Sequence, residues 1–102
     1  MAVVYITEYA RQGRDACSNG LVVPEEPPVA NQTVAIGAGS VQSSAVNALT
    51  SFIRVHADAI CSIEIGTNPT AATSTRRLAA NTTEYFAVPM GQEYKVAVIT
   101  NT

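Results

Sequence analysis

Between Ser51 and Ile65 the chain reads SFIRVHADAICSIEI, with apolar side chains at every second position. Ile53, Val55 and Ala57 fall on one face, and Phe52, Arg54 and His56 on the other. The alternation resumes through Ala59, Cys61, Ile63 and Ile65. A helix would scatter such a pattern around its circumference, whereas a strand gathers it on one side. The segment therefore predicts two half-buried strands, bent at Ala57-Asp58, and sets the class as all-β.

Other segments fit the same class. Ala2 to Tyr9 alternates Val4, Ile6 and Glu8 against Val3, Tyr5, Thr7 and Tyr9, which predicts a strand with two aromatic side chains on one face. Short strands are expected at Thr33–Ile36, Glu84–Val88 and Tyr94–Thr100, and a brief pairing at Leu78–Ala80. Val41 to Leu49 fits a helical turn or a strand, and its small residues favour the strand. Asn19-Gly20 predicts a type I′ turn leading into a short strand at Leu21-Val22-Val23, and Pro89-Met90-Gly91 a type I turn. Gly66 to Pro69 and Asn81-Thr82 are expected to turn, and Thr70 to Arg77 to be a flexible loop. The expected architecture is a single antiparallel β-sandwich, jelly-roll-like, spanning residues 1–102. Residues 1–12 would form an N-terminal strand or arm, and 13–32 an irregular segment broken by Gly13, Pro24 and Pro27-Pro28.

A chain of 102 residues can bury one core without metals or disulfides. Only 14% of its residues are charged, against roughly 25% in average soluble proteins. Its surface is therefore rich in small neutral groups, which lose little on desolvation against a partner. Net charge is −2, and the single Lys95 and five scattered arginines form no basic run beyond Arg76-Arg77. Direct nucleic-acid binding is not expected from such a chain. No stretch approaches the ~18–20 apolar residues of a membrane-spanning helix, so no membrane partner is expected. MAVVYITEYARQG lacks the basic start and unbroken apolar run of a signal peptide, so folding in a cytoplasm is expected. The sequons at Asn31 and Asn81 then carry no weight.

No catalytic set emerges. His56 is the only histidine, and His56 with Asp58 reads as a surface pair at a strand end. Cys61 shares the face of Ile63 and reads as a small apolar core residue, while Cys17 sits in polar RDACSNG. A Cys17–Cys61 disulfide is disfavoured in a reducing compartment. Glu25-Glu26 beside Pro27-Pro28 reads as a solvated acidic loop. Two catalytic carboxylates across a cleft would normally come with aromatic platforms, and the chain has no Trp. Gly37-Ala38-Gly39 lacks the Lys and helix of a phosphate loop. Neither an enzyme nor a cofactor or metal site is expected. Tyr5, Tyr9, Tyr85, Phe86 and Tyr94 either close the ends of the core or anchor a subunit interface.

The stretches FIRVHADAICSIEIGTNPTA and LAANTTEYFAVPMGQEYKVAVIT, strand-rich and without a catalytic set, resemble the small head decoration, or cement, proteins of tailed bacteriophages. The resemblance covers chiefly Ser51 to Thr100. It implies a jelly-roll or related sandwich, located on the exterior of a virion capsid, that binds the major capsid protein as a homo-oligomer, a dimer or trimer. Contacts to the partner would then fall on the N-terminal region, at Tyr5, Tyr9, Arg11, Glu25, Glu26, Pro27 and Pro28. The edge of the Ala2–Tyr9 strand, or the Arg11–Gln32 segment, is expected to add a strand to a neighbour. The alternatives are a phage tail, baseplate or head-fibre module that binds a host-surface glycan, through Tyr85 and Asn81 for example, and a β-domain with an unrelated partner. A metal-binding jelly roll is nearly excluded by the single histidine.

Overall fold

The computed structural model describes residues 2–101, and Met1 and Thr102 lie outside the described residues. All regular structure among these residues is strand: β1 (Val3–Tyr9), β2 (Gln12–Arg14), β3 (Gly20–Pro24), β4 (Ala30–Ala35), β5 (Val41–Gln42), β6 (Phe52–Ala57), β7 (Cys61–Gly66), β8 (Arg76–Leu78), β9 (Thr82–Ala87) and β10 (Lys95–Thr100). One antiparallel sheet has the order β4-β1-β6-β9 and the other β5-β10-β7-β8, while β2 and β3 pair only with each other. From β4 to β10 the chain changes sheet at every step except β7 to β8. That is the path of a jelly roll, with β1 occupying the place of the closing strand beside β4. The eighth strand therefore comes from the front of the chain. Both ends of the described chain meet at one end of the sandwich, where Ile36 N–H donates to Ala2 O and Thr100 N–H to Gly37 O.

The alternation seen in the sequence is the alternation of burial. Ile53, Val55 and Ala57 of β6 are buried with Val4 and Ile6 of β1, and face Cys61, Ile63, Val96 and Val98 of the opposite sheet. Phe52, Arg54 and His56 point away from this core. Cys61 is buried and free, and its burial pushes the thiol pKa up, while Cys17 is exposed and free.

The two outer faces differ. Thr70 to Arg77, expected to be a flexible loop, is instead held in place: Arg76 and Arg77 belong to β8, and the residues before them, with Pro69, are strapped across the β5-β10-β7-β8 sheet. Ala71 N–H donates to Ser40 Oγ at 2.9 Å, and Gln42 Nε2 to Pro69 O at 2.7 Å. Asn101 Nδ2 donates to Thr73 O at 3.2 Å and to Ser62 Oγ at 2.7 Å. The strap explains why Ser62 and Ala97, on the outward side of their strands, are fully buried. Among the described residues no such strap covers the β4-β1-β6-β9 sheet, whose outer face carries Tyr5, Tyr9, Phe52 and Tyr85.

Five expectations change. β1 has no free edge, because it pairs with β4 on one side and β6 on the other, so strand addition there is excluded. Residues 13–32 hold most of a hairpin and the start of β4, because Gly20 to Pro24 pairs locally with Gln12 to Arg14. The turn of that hairpin is not at Asn19-Gly20: Gly20 opens β3, and the positive φ of 66° falls on Ser18. Only Val41–Gln42 of the Val41–Leu49 segment is strand. Gly91 adopts φ +81°, so the turn after Pro89 needs glycine at its centre and is not a type I turn closed by it.

Candidate functional site

The exposed face of the β4-β1-β6-β9 sheet is built by cross-strand pairing. Register places Tyr9 opposite Phe52, Tyr5 opposite His56, and Arg54 opposite Tyr85. The rings follow this register: Tyr9 stacks on Phe52 at 5.3 Å between centroids, Phe52 meets Tyr85 at 6.5 Å, and Tyr5 meets His56 at 6.3 Å. His56 Nδ1 shares a 2.8 Å hydrogen bond with Thr83 Oγ1, and its Nε2 lies 3.9 Å from Asp58 Oδ1. The pair expected at the strand end is thus present.

The β2–β3 hairpin leaves β1 at the Tyr9 end of this face. Its tip is organised by Asp15, whose carboxylate accepts N–H bonds from Asn19 and Cys17, each at 2.9 Å. These two bonds, Asn19 first, hold the Asp15 pKa below the usual carboxylate value. Arg14 Nη1 donates to Ser18 O across the same turn. The pairing of β2 with β3 slips between Gln12 and Arg14, so that Leu21, Val22 and Val23 face the single Gly13. A bulge of this kind turns side chains out of the ladder. Val22 is left 94% exposed, an unusual state for a valine within a strand.

Between the hairpin and the sheet lies an apolar groove of about 370 Å³, lined by Gln12, Val22, Val23, Pro24, Phe52 and Tyr85. A further cleft of about 460 Å³ runs past Glu64 and Arg76, where the Arg76 guanidinium sits 4.7 Å above the Phe86 ring. Among the described residues, no group of three or more His, Cys, Asp or Glu side chains is placed to hold a metal ion.

The residues picked out from sequence divide in two. Tyr9, Arg11, Glu25 and Glu26 come together at the base of the hairpin: Tyr9 Oη donates to Glu26 Oε2 at 2.9 Å, and Arg11 Nε to Glu25 Oε1 at 2.8 Å. Glu25-Glu26 is therefore a clasp on the chain's own residues and not a free acidic loop. Pro27 and Pro28 follow it, with a cis bond between Glu26 and Pro27, and lead into β4. Tyr5 stands apart, farther along the open face. Sequence reasoning missed the groove itself, because Phe52 and Tyr85 belong to strands that only the register of β6 and β9 brings under the hairpin.

Tyr9 is buried, and that burial, with the hydrogen bond to Glu26 second, raises its phenol pKa above the ordinary 10.0. The neutral phenol is the form favoured by folding. Its contribution is complete below the unfolded pKa of about 10 and is lost as pH rises through the higher folded value. An alkaline titration at the tyrosinate absorption band should contain a late step that Tyr9→Phe removes.

Compared with known proteins, the chain matches no protein-family model, no curated protein sequence and no solved structure.

Proposed function

We propose that the protein is a non-enzymatic structural component of a virion, a decoration or cement protein that binds the outside of a phage capsid and ties neighbouring capsomers together. The supporting observation is the polarity of the sandwich. Among the described residues eight large apolar side chains are exposed, and six of them, Leu21, Val22, Val23, Leu49, Tyr85 and Met90, belong to the hairpin end. The loops there are joined to one another: Ser51 N–H donates to Tyr9 O, Val88 N–H to Ser51 O, and Gly91 N–H to Ala48 O. Leu49 and Met90 thus project from two connected loops, as a small apolar foot beside the hairpin.

Such an end suits a repeating surface. Few charges need to be stripped of water when it docks. Each contact can be weak, because copies that also touch one another on a lattice gain avidity. The test is co-sedimentation with capsids assembled from the matching major capsid protein. Saturable binding at a fixed ratio to capsid subunits is expected, weakened at least about tenfold by Leu49→Asp with Met90→Asp. Absence of saturable binding, or adhesion to host cells in its place, would overturn the proposal and favour a tail or host-recognition module.

A further inference from the structure

We infer that the β2–β3 hairpin is a self-association arm: Val22 of one copy seats in the groove formed by Phe52, Tyr85 and Pro24 of a second copy, and the contact is returned about a two-fold axis. This inference does not rest on the capsid reading.

The hairpin is the least self-sufficient part of the chain. Its strands have three and five residues, and it pairs with neither sheet of the sandwich. A two-stranded hairpin of that length has marginal stability in water, yet here it holds an apolar Leu21-Val22-Val23 run toward solvent. The bulge opposite Gly13 explains how the chain presents Val22 as a knob. The groove beside it is apolar and open. Knob and groove on the same surface are what a closed, reciprocal dimer requires.

Area and charge point to the same occupant. Leu21, Val22, Val23 and Tyr85 together leave on the order of 400 Å² exposed. A standard interface buries about 800 Å² per partner, some 57–65% of it apolar, or roughly 500 Å². The arm and groove therefore supply most of the apolar area a stable dimer needs. The arm from Arg11 to Glu25 carries Arg11, Arg14, Asp15 and Glu25, which sum to zero, so two arms approach without net repulsion. β3 itself has no charge. The β8 edge, by contrast, carries Arg76 and Arg77, and the β5 edge is two residues long, both of which discourage pairing with another chain.

Sedimentation velocity from about 1 μM to about 1 mM tests the inference directly. The wild-type chain should show a concentration-dependent monomer–dimer equilibrium. Val22→Asp should raise the dissociation constant at least about 30-fold, with an unchanged thermal midpoint at concentrations where the wild type is monomeric, because the side chain touches little within its own copy. Leu49→Asp should leave the dimer intact while weakening capsid binding, which separates this inference from the capsid proposal. A wild-type chain that stays monomeric throughout, a Val22→Asp variant that dimerises as wild type does, or open-ended growth beyond the dimer would each overturn it.

Discussion

Excising Gln12–Pro24 and joining Arg11 to Glu25 through Gly-Gly should leave a folded sandwich, whereas deleting Ala2–Arg11 should leave a chain with no cooperative unfolding transition. The two segments are neighbours in sequence and opposites in the fold. At the base of the hairpin, Glu25 N–H already donates to Arg11 O at 3.0 Å, so a short link spans the gap without strain. The Tyr9–Glu26 hydrogen bond survives the excision, and no residue of the principal core belongs to the arm. Deleting β1 removes the strand that joins β4 to β6. It also removes the buried Val4, Ile6 and Tyr9. At about 1.5–3 kcal/mol for each large buried side chain, their loss is on the order of 5–8 kcal/mol. A domain's whole stability is about 5–15 kcal/mol. Near-UV circular dichroism during a thermal melt separates the outcomes. A lost transition in the excised chain would make the hairpin part of the core, and a retained one after deletion of β1 would mean that β4 can pair with β6 directly.

The same contrast marks how far the sequence could be read. Strict alternation in β1, β6 and β7 encodes which face is buried, because a period of two leaves each side chain only two places to go. Hence the all-β class, the inward Ile53, Val55 and Ala57, and the buried Cys61 were legible from residues alone. β1 was legible as a strand but not as an interior one, since its pairing partners lie 22 to 53 residues away along the chain. The Thr70–Arg77 segment has the small, polar composition of a mobile loop, and it is held by side chains of Ser40 and Asn101 that no local pattern announces. The candidate site was half legible. Tyr9, Arg11, Glu25 and Glu26 were singled out and do meet, but they act as the clasp of the arm. The groove depends on Phe52 and Tyr85, whose neighbourhood is a product of register. Val22 gave a signal as a strand residue, and its exposure arises from a bulge that sequence alternation does not encode.

Glu8→Ala should lower the free energy of unfolding by about 3 kcal/mol, and Glu8→Gln by only about 1 kcal/mol. The alternation of β1 turns Glu8 inward with Val4 and Ile6, and it is 2% exposed. Its Oε1 accepts the Asn47 N–H at 2.7 Å and the Thr50 hydroxyl at 2.8 Å, and its Oε2 lies 3.4 Å from the donor Nε2 of Gln32. Thr50 is fully buried. The carboxyl group therefore holds the Asn47–Thr50 loop onto β1, an interior strand of its sheet, across 39 to 42 residues of chain. Alanine leaves the Asn47 N–H and the Thr50 hydroxyl without an acceptor, and each buried unpaired group costs about 1–3 kcal/mol. Glutamine keeps a carbonyl oxygen for both donors. Its amide then meets Gln32 Nε2 donor to donor, at a separation long enough for Gln32 to turn away and keep its bond to Ser44 O. Chemical denaturation at neutral pH measures both variants. Equal losses would assign the effect to charge, and no loss in Glu8→Ala would mean that water replaces the carboxyl group. The loop held by Glu8 carries Leu49, so the same substitution should also weaken the proposed capsid binding while leaving the proposed Val22-mediated dimer in place, a coupling between core and foot that a purely local packing defect would not produce.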